Sequence, residues 1–489
     1  MRYLQTMRPI QTALLIISAT SLLAIGGCSK TFLDLAPIGQ QTSATFFANA
    51  ADANAAVTSC YGHMNEWREA AFANLAITSI SSDDAERGSV PGDAAFLDDF
   101  DNFTITSTAF IVDDYWTGQY AGINLCNQSI DNIPNISMDA TLKARLIAEA
   151  KFLRALRYFN LVRAFGDVPL IKSVPKTPDE LNPVRSPKAE VYAFVESDLN
   201  DAAAVLPTSY PSSEVGRATK GAALGMLAKV KMYEKKWAEV LSLTDQVIAL
   251  PYSLATDFNG MFRISGENNS ESIFEVQSNT FANDCGTYSQ YSEVQAVRNQ
   301  FGWGFNIPTT DLVNAFEPGD IRKAATILFR GQTTSEGDLI IASAPNPYYN
   351  KKAYVPSSWP NACGWGYGRD QNRRILRLGD IYLIRAEAAN ETGDTVKAKQ
   401  YLNAIRLRAG LAPVNAISQA NLRTKIWNER HVELAMEEDR FFDLVRQGRA
   451  GQVLRAQGKQ FVDGKNELFP IPQKQIDLSG GKLTQNPGY

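Results

Sequence analysis

Histidine is almost missing from this chain. Only His63 and His431 occur among its 489 residues, so a Ser-His-Asp or Cys-His apparatus would have to be built on one of those two. His431 lies in a charged helical run and His63 near the end of the first helix, positions that read as structural or solvated. Cysteine is scarce too: there are five, none at CxxC spacing, which excludes the usual zinc and dithiol motifs. No phosphate loop or GxGxxG fingerprint is visible, so a nucleotide cradle is not expected. A basic excess is also lacking. The formal charge is −4, whereas nucleic-acid binding needs a basic face. Beyond residue 27 no stretch approaches the roughly 20 apolar residues that span a bilayer. These absences predict no cofactor, no metal and no nucleic-acid partner.

What is present begins at the N-terminus. Arg2 and Arg8 precede an apolar run through Ala13-Leu14-Leu15-Ile16-Ile17 and Leu22-Leu23, which closes on Ile25-Gly26-Gly27-Cys28. A basic start, a short apolar core and small residues before the cut describe a secretory signal. A cysteine at the cut resembles the lipobox of bacterial lipoproteins. That resemblance implies that residues 1–27 are a signal peptide, that Cys28 is lipidated, and that 28–489 forms the mature body, held to a membrane by lipid alone. The competing reading is an uncleaved anchor helix, for which the apolar stretch is short. Loss of Arg2 and Arg8 takes the formal charge from −4 to −6. Export permits disulfides. Cys60 and Cys126 sit in alanine-rich helical contexts and read as small buried residues. Cys285 and Cys363 sit in Gly/Asn-rich loops, either as a bridge or as free thiols.

Helical patterning runs from about Asp52 to Trp67, from Tyr115-Trp116 to Ile130, and over 142–165, where the apolar surface is broad enough to pack on more than one side. Gly166 and Pro169 end that helix, and Ser186-Pro187 opens the next with a cap and a first-turn proline. Segments 221–250 and 378–411 each hold two short stripes about a tight turn, Lys235-Lys236 in one and Gly393-Asp394 in the other. They read as tetratricopeptide-like units, or as plain helical hairpins, since no full consensus appears. Segments 79–110 and 255–370 are rich in turn residues, with one clear strand at Ile273-Phe274-Glu275-Val276. Long loops of this kind are usually functional. The expected fold is mostly α: helical hairpins on one side, a loop-rich ligand-binding side, and a few short strands.

Five motifs then occur in order. They are Phe32-Leu33-Asp34; Glu149 to Ala155 leading into Leu161-Val162-Arg163-Ala164-Phe165-Gly166-Asp167-Val168-Pro169-Leu170; Asn428-Glu429-Arg430-His431-Val432-Glu433-Leu434; Glu437 to Arg446; and the closing Leu468-Phe469-Pro470-Ile471-Pro472 with Gln485-Asn486-Pro487-Gly488-Tyr489. Together they resemble the SusD/RagB family of outer-membrane nutrient-binding lipoproteins over nearly the whole mature chain. His431 stands where that family commonly has an arginine, Glu438 where glycine is frequent, and Gln447 where tryptophan is. Read from the residues alone, Glu437 with Arg440 and Asp443 with Arg446 are i,i+3 helix pairs.

The resemblance implies a non-catalytic protein that binds oligo- or polysaccharide at the cell surface and passes it to a SusC-like TonB-dependent transporter. Peptide capture and a surface glycoside hydrolase are the alternatives. A hydrolase needs two facing carboxyls; the adjacent pairs Asp83-Asp84, Asp98-Asp99 and Asp113-Asp114 are not evidence for that geometry. Aromatics concentrate in the loops: Tyr288, Tyr291, Phe301 and Trp303, then Tyr348, Tyr349, Trp359, Trp365 and Tyr367. Flat rings stack on pyranose C–H faces while polar groups fix orientation; the bland alternative is that they bury local loop cores. The expected ligand-binding set is Asp83, Asp84, Arg87, Tyr288, Tyr291, Trp303, Trp359 and Trp365, converging on one shallow surface. Trp303 is the foremost of these, because Gly302 and Gly304 flank it and leave its ring uncrowded.

Overall fold

Helices form where the apolar stripes place them and start where side chains cap them. The computed structural model describes residues 46–278, 289–359, 370–415 and 417–489; Cys28, Cys285, Tyr288, Cys363 and Trp365 lie outside these. Helix α1 (Ala50–Gly62) opens on a capping box: the Asn49 side chain accepts from Ala51 N and Asp52 N, and Asp52 accepts from Asn49 N at 3.2 Å. Helices α2 (Phe110–Asn132) and α3 (Ala140–Phe165) follow. Helix α3 is buried nearly all round, through Phe152, Leu153, Tyr158 and Phe165 among others. It packs on α1, α2 and α4 (Lys188–Val205), as the breadth of its apolar surface predicts. Cys60 and Cys126 are free thiols in this core. Among the described residues no helix is long and apolar enough to cross a membrane.

The start of α4 differs from the sequence reading. Ser186 is held in a two-residue antiparallel ladder opposite Val168, and Pro187 occupies the N-cap position, which it cannot serve with a side-chain acceptor. The cap comes from elsewhere: Asp167 Oδ1 accepts from Lys188 N at 2.7 Å. The turn at Gly166, with φ +71°, delivers that carboxylate.

Two hairpins continue the array. Helices α5 (Lys220–Tyr233) and α6 (Trp237–Ile248) turn at Lys235, with φ +58°. Helices α7 (Leu378–Glu391) and α8 (Thr395–Arg408) turn at Gly393, and Asp394 caps Lys397 N at 2.9 Å. Although far apart in sequence, the hairpins are neighbours: α4 packs on α5, α5 on α6, α6 on α7, and α7 on both α8 and α9 (Gln419–Glu433). The loop-rich segment between the hairpins therefore leaves and rejoins one continuous helical layer.

Strands are short and pair in twos. Besides the two-residue ladder of Val168–Pro169 with Arg185–Ser186, they are β1 (Ala85–Gly88), β2 (Ser272–Val276), β3 (Phe305–Pro308), β4 (Ile327–Phe329), β5 (Tyr348–Asn350) and β6 (Arg373–Arg377). The antiparallel pair β2/β6 closes the neck of the 255–370 segment, and β4/β5 lies within it. The pair β1/β3 joins segment 79–110 to that insertion, with Glu86 opposite Ile307 and Gly88 opposite Phe305. Only β2 showed in the periodicity; β1, β3, β4 and β5, of three or four residues, are too short to display an alternation, and β6, Arg373-Arg374-Ile375-Leu376-Arg377, does not alternate apolar with polar residues.

Helix α9 ends at Glu433, and α10 (Arg440–Arg446) begins after a break in which Met436 and Glu438 take φ +63° and +70°. This break corrects one expected ion pair. Asp443 and Arg446 do pair, at 2.7 Å. Glu437 instead meets Arg377 at 2.8 Å and Lys352 at 2.6 Å, and Arg440 meets Asp83 at 2.6 Å. The i,i+3 rule requires an unbroken helix, and the left-handed residues interrupt it. The closing segments pack back onto the end of α3: Phe469 N donates to Ala164 O at 2.8 Å, and Asn486 Nδ2 to Phe165 O at 3.0 Å.

Candidate functional site

The β1/β3 ladder brings two loops together. At its end Ser89 N donates to Gly304 O at 2.6 Å. Gly88 has φ +78°, and a Cβ there would lie 2.5 Å from Gly304 O, so the approach requires glycine. Loop 88–98 is then pinned from inside. Arg87 donates to Asp98 Oδ1 at 2.5 Å and to the carbonyls of Gly88, Val90 and Asp93 at 3.1, 3.0 and 2.7 Å. Across the seam Arg298 donates to Asp93 Oδ2 at 2.6 Å, to Ser89 Oγ at 2.7 Å and to Trp303 O at 3.1 Å. Arg298 and Asp93 keep part of their surface in solvent.

Beside this seam runs a continuous aromatic stripe. The Trp303 ring lies 5.8 Å from Trp67 and 6.2 Å from Phe72; Phe72 touches Phe305 at 4.8 Å and Phe96 at 5.9 Å; Phe96 touches Phe110 at 4.8 Å. Phe305 is buried and anchors the row. The two outer rings remain open, Trp67 at 37% and Phe110 at 54% of full exposure, while Phe72, Phe96 and Trp303 are half-buried between them. A partly exposed row of rings with a guanidinium and a carboxylate alongside can stack on flat C–H faces and hydrogen-bond to neighbouring hydroxyls.

The sequence-predicted residues distribute unevenly about this site. Trp303 is in the stripe and Arg87 braces the loop beside it. Trp359 is 37% exposed and donates from Nε1 to Asp370 at 3.3 Å; among the described residues no ring contact joins it to the stripe. Tyr291 is buried within a short helix. Asp83 and Asp84 are buried in ion pairs: Asp83 with Arg440, and Asp84 with His431 Nε2 at 2.5 Å. Burial pushes the Asp83 carboxyl up, but the charges of Arg440 and His431 outweigh it and hold the group below the usual carboxylate range. The other histidine, His63, meets Glu69 at 2.8 Å. The flanking glycines do not clear space for the Trp303 ring, which packs on Trp67 and Phe72. They admit backbone: a Cβ on Gly302 would lie 2.0 Å from Glu293 O, and one on Gly304 2.8 Å from Arg298 Cβ.

Sequence reasoning missed Trp67, Phe72, Phe96 and Phe110. Phe96 and Phe110 lie within segment 79–110, already marked as loop-rich, and aromatics in such a segment were the available signal. Trp67 and Phe72 follow the first helix and carry no such mark.

Comparison with known proteins gives a consistent result. Residues 270–489 match the model of the SusD family, and residues 31–232 match a family described as starch-binding associating with outer membrane. A SusD-like protein of Bacteroides ovatus is 28% identical, over 90% of this chain and 83% of its own. A SusD-like protein of Formosa agariphila is 25% identical, over 96% of this chain and 98% of its own. Among solved structures, a laminarin-binding SusD-like protein is 30% identical, with 90% of this chain and 100% of that one covered and a TM-score of 0.77.

Proposed function

The chain belongs to the SusD family, and from that premise we propose that it is a non-catalytic lipoprotein of the outer membrane that binds oligo- or polysaccharide on the aromatic stripe and delivers it to a SusC-like TonB-dependent transporter. The observation that carries this reading is the stripe itself, five contiguous rings from Trp67 to Phe110 beside the Arg298–Asp93 pair. Buried rings in a loop core would not leave both ends of the row open. Trp67, Trp303, Phe96 and Phe110 supply the stacking surface, and Arg298 and Asp93 the hydroxyl contacts. Arg87 positions the loop. Asp83, Asp84 and Tyr291 are buried and are not ligand contacts; Asp83 and Asp84 hold Arg440 and His431. Trp359 is a further exposed ring of the same insertion, and in this reading Trp359, Tyr288 and Trp365 are further ligand contacts.

In this reading residues 1–27 are removed and 28–489 is the mature body, anchored through lipid on Cys28 and facing the cell exterior. The laminarin-binding relative supports a glycan over a peptide ligand.

Affinity electrophoresis tests the reading. Migration through gels containing laminarin, starch or xylan is expected to be retarded by at least one polysaccharide, with no new reducing ends on prolonged incubation. Retardation by none, with binding of peptides instead, would overturn the glycan reading; release of reducing ends would overturn the non-catalytic one. Cys28→Ala is expected to leave the protein off the membrane, and a processed, membrane-bound Cys28→Ala protein would contradict lipidation there.

A further inference from the structure

The sequence motifs that the aromatic stripe does not use meet at a second concavity. A groove of about 710 Å³ lies between the end of α3, the start of α4, the end of α5, α10 and the closing segment. That volume is within the roughly 300–1,000 Å³ of ligand pockets. Arg163 and Gly166 come from the first long motif, Phe442 and Arg446 from α10, and Leu468 and Pro487 from the closing motifs. None of its lining residues belongs to the stripe. Gly166 shapes the wall: a Cβ there would lie 2.9 Å from Leu468 Cδ1.

The groove is lined by polar groups that the protein leaves incomplete. Arg163 Nε and Glu467 Oε2 are buried and have no hydrogen-bond partner; the Glu234 carboxyl shares a side-chain hydrogen bond with Glu196 and meets Lys236 at 3.0 Å. The rest of Arg163 is committed: one amino group reaches Asp439 at 3.2 Å, the other Asn160 at 2.7 Å, and the guanidinium lies over Phe159 and Phe442 at 4.2 and 4.4 Å. Buried polar atoms are ordinarily paired, and an unpaired one is costly. Here one donor and one acceptor, on Arg163 and Glu467, await partners on residues that line the same groove. Charge does not select an ion: Arg163 is paired with Asp439 and Arg446 with Glu387 and Asp443, and Lys188 and Lys465 are matched in number by Glu234 and Glu467. A neutral ligand whose groups both donate and accept satisfies such a lining, with Tyr192, Phe442 and Leu468 as apolar wall. Sugar hydroxyls are groups of that kind.

We propose that this groove is a second carbohydrate site, taking a short neutral oligosaccharide segment; the choice of a sugar rests on the glycan reading above. The test uses calorimetric titration of laminarihexaose and maltohexaose into four full-length proteins: wild type, the stripe variant Trp67→Ala/Trp303→Ala, the groove variant Ala189→Trp, and Glu467→Gln. Ala189 is exposed at the groove rim on α4, so the added indole fills the groove without entering the core. Wild type is expected to show two classes of site. The stripe variant keeps the weaker class, Ala189→Trp loses it and keeps the stronger, and Glu467→Gln weakens it by roughly tenfold at unchanged melting temperature. An Ala189→Trp isotherm identical to wild type would overturn the groove and leave the stripe standing, as would loss of all binding in the stripe variant. Loss of all binding in Ala189→Trp, with the stripe variant unaltered, would uphold the groove and overturn the stripe. No binding of either hexaose by wild type, at concentrations where a polysaccharide binds, would overturn the groove.

Discussion

A tryptophan serves a sugar only with the face its neighbours leave open. Trp303 leans on both Trp67 and Phe72, whereas Trp67 stands at the exposed end of the row. Trp67→Ala is therefore predicted to weaken glycan binding by roughly 30-fold, the equivalent of about 2 kcal/mol at a hot-spot aromatic, with little change in melting temperature. Phe72→Ala is predicted to lower affinity and melting temperature together, because Phe72 ties the row to buried Phe305. Calorimetric titration and thermal scanning of the two variants separate these roles; a large stability loss in Trp67→Ala would make it a packing residue instead. At this scale the sequence marked Trp303, for an open ring that its packing on Trp67 and Phe72 overturns, and was silent about Trp67. The stripe draws rings from the segments around residues 67–72, 96–110 and 303–305, and the β1/β3 ladder together with the packing of residues 67–75 on α2 puts those segments side by side. No local pattern encodes that pairing.

At the scale of elements, the hairpin turns were legible because their chemistry is local. Gly393 supplies the positive φ and Asp394 the cap within two residues. The cap of α4 was not legible at Ser186, since Asp167 reaches it across a ladder. In the charged run 428–446 the expected pair Asp443/Arg446 forms and Glu437/Arg440 does not. Its spacing suggests helix-surface pairs, yet its carboxylates close a buried network with partners drawn from distant elements. Glu433 binds Arg377 and Arg408 closely, and Arg322 at 3.0 Å. Burial pushes the Glu433 carboxyl up, but those three guanidiniums overrule it and hold it well below the carboxylate range. Glu433→Ala would leave three buried cations without their shared partner. The predicted cost is about 3–5 kcal/mol, read as a lower urea midpoint; a change under about 1 kcal/mol would mean that the network is solvated.

At the scale of the whole molecule, the layer of hairpins and the loop-rich insertion were both legible in outline, one from its 3.6-residue periodicity and the other from its turn residues. The way they join was not, because β1, β3 and β6 carry pairing information only in three dimensions. One consequence of that joining is a pH dependence. Glu267, near the β2/β6 neck, accepts from Asn372 N at 2.6 Å, and burial pushes its carboxyl from 4.5 up to about 8. The folded state thus holds a proton that the unfolded chain releases. Its contribution to stability is full below pH about 4.5 and is lost as pH rises through about 8. Thermal scans from pH 5 to 8 are predicted to show a decline in wild type that Glu267→Gln flattens; equal slopes would refute the assignment. The central claim, that the aromatic stripe is the glycan-binding face, is tested most directly by one affinity ratio: wild type against Trp67→Ala/Trp303→Ala, titrated with whichever polysaccharide retards the wild-type protein. The account predicts a loss of at least 100-fold, the equivalent of about 2.7 kcal/mol, with the helical circular dichroism spectrum unchanged. A double variant that binds the polysaccharide as tightly as wild type would contradict it.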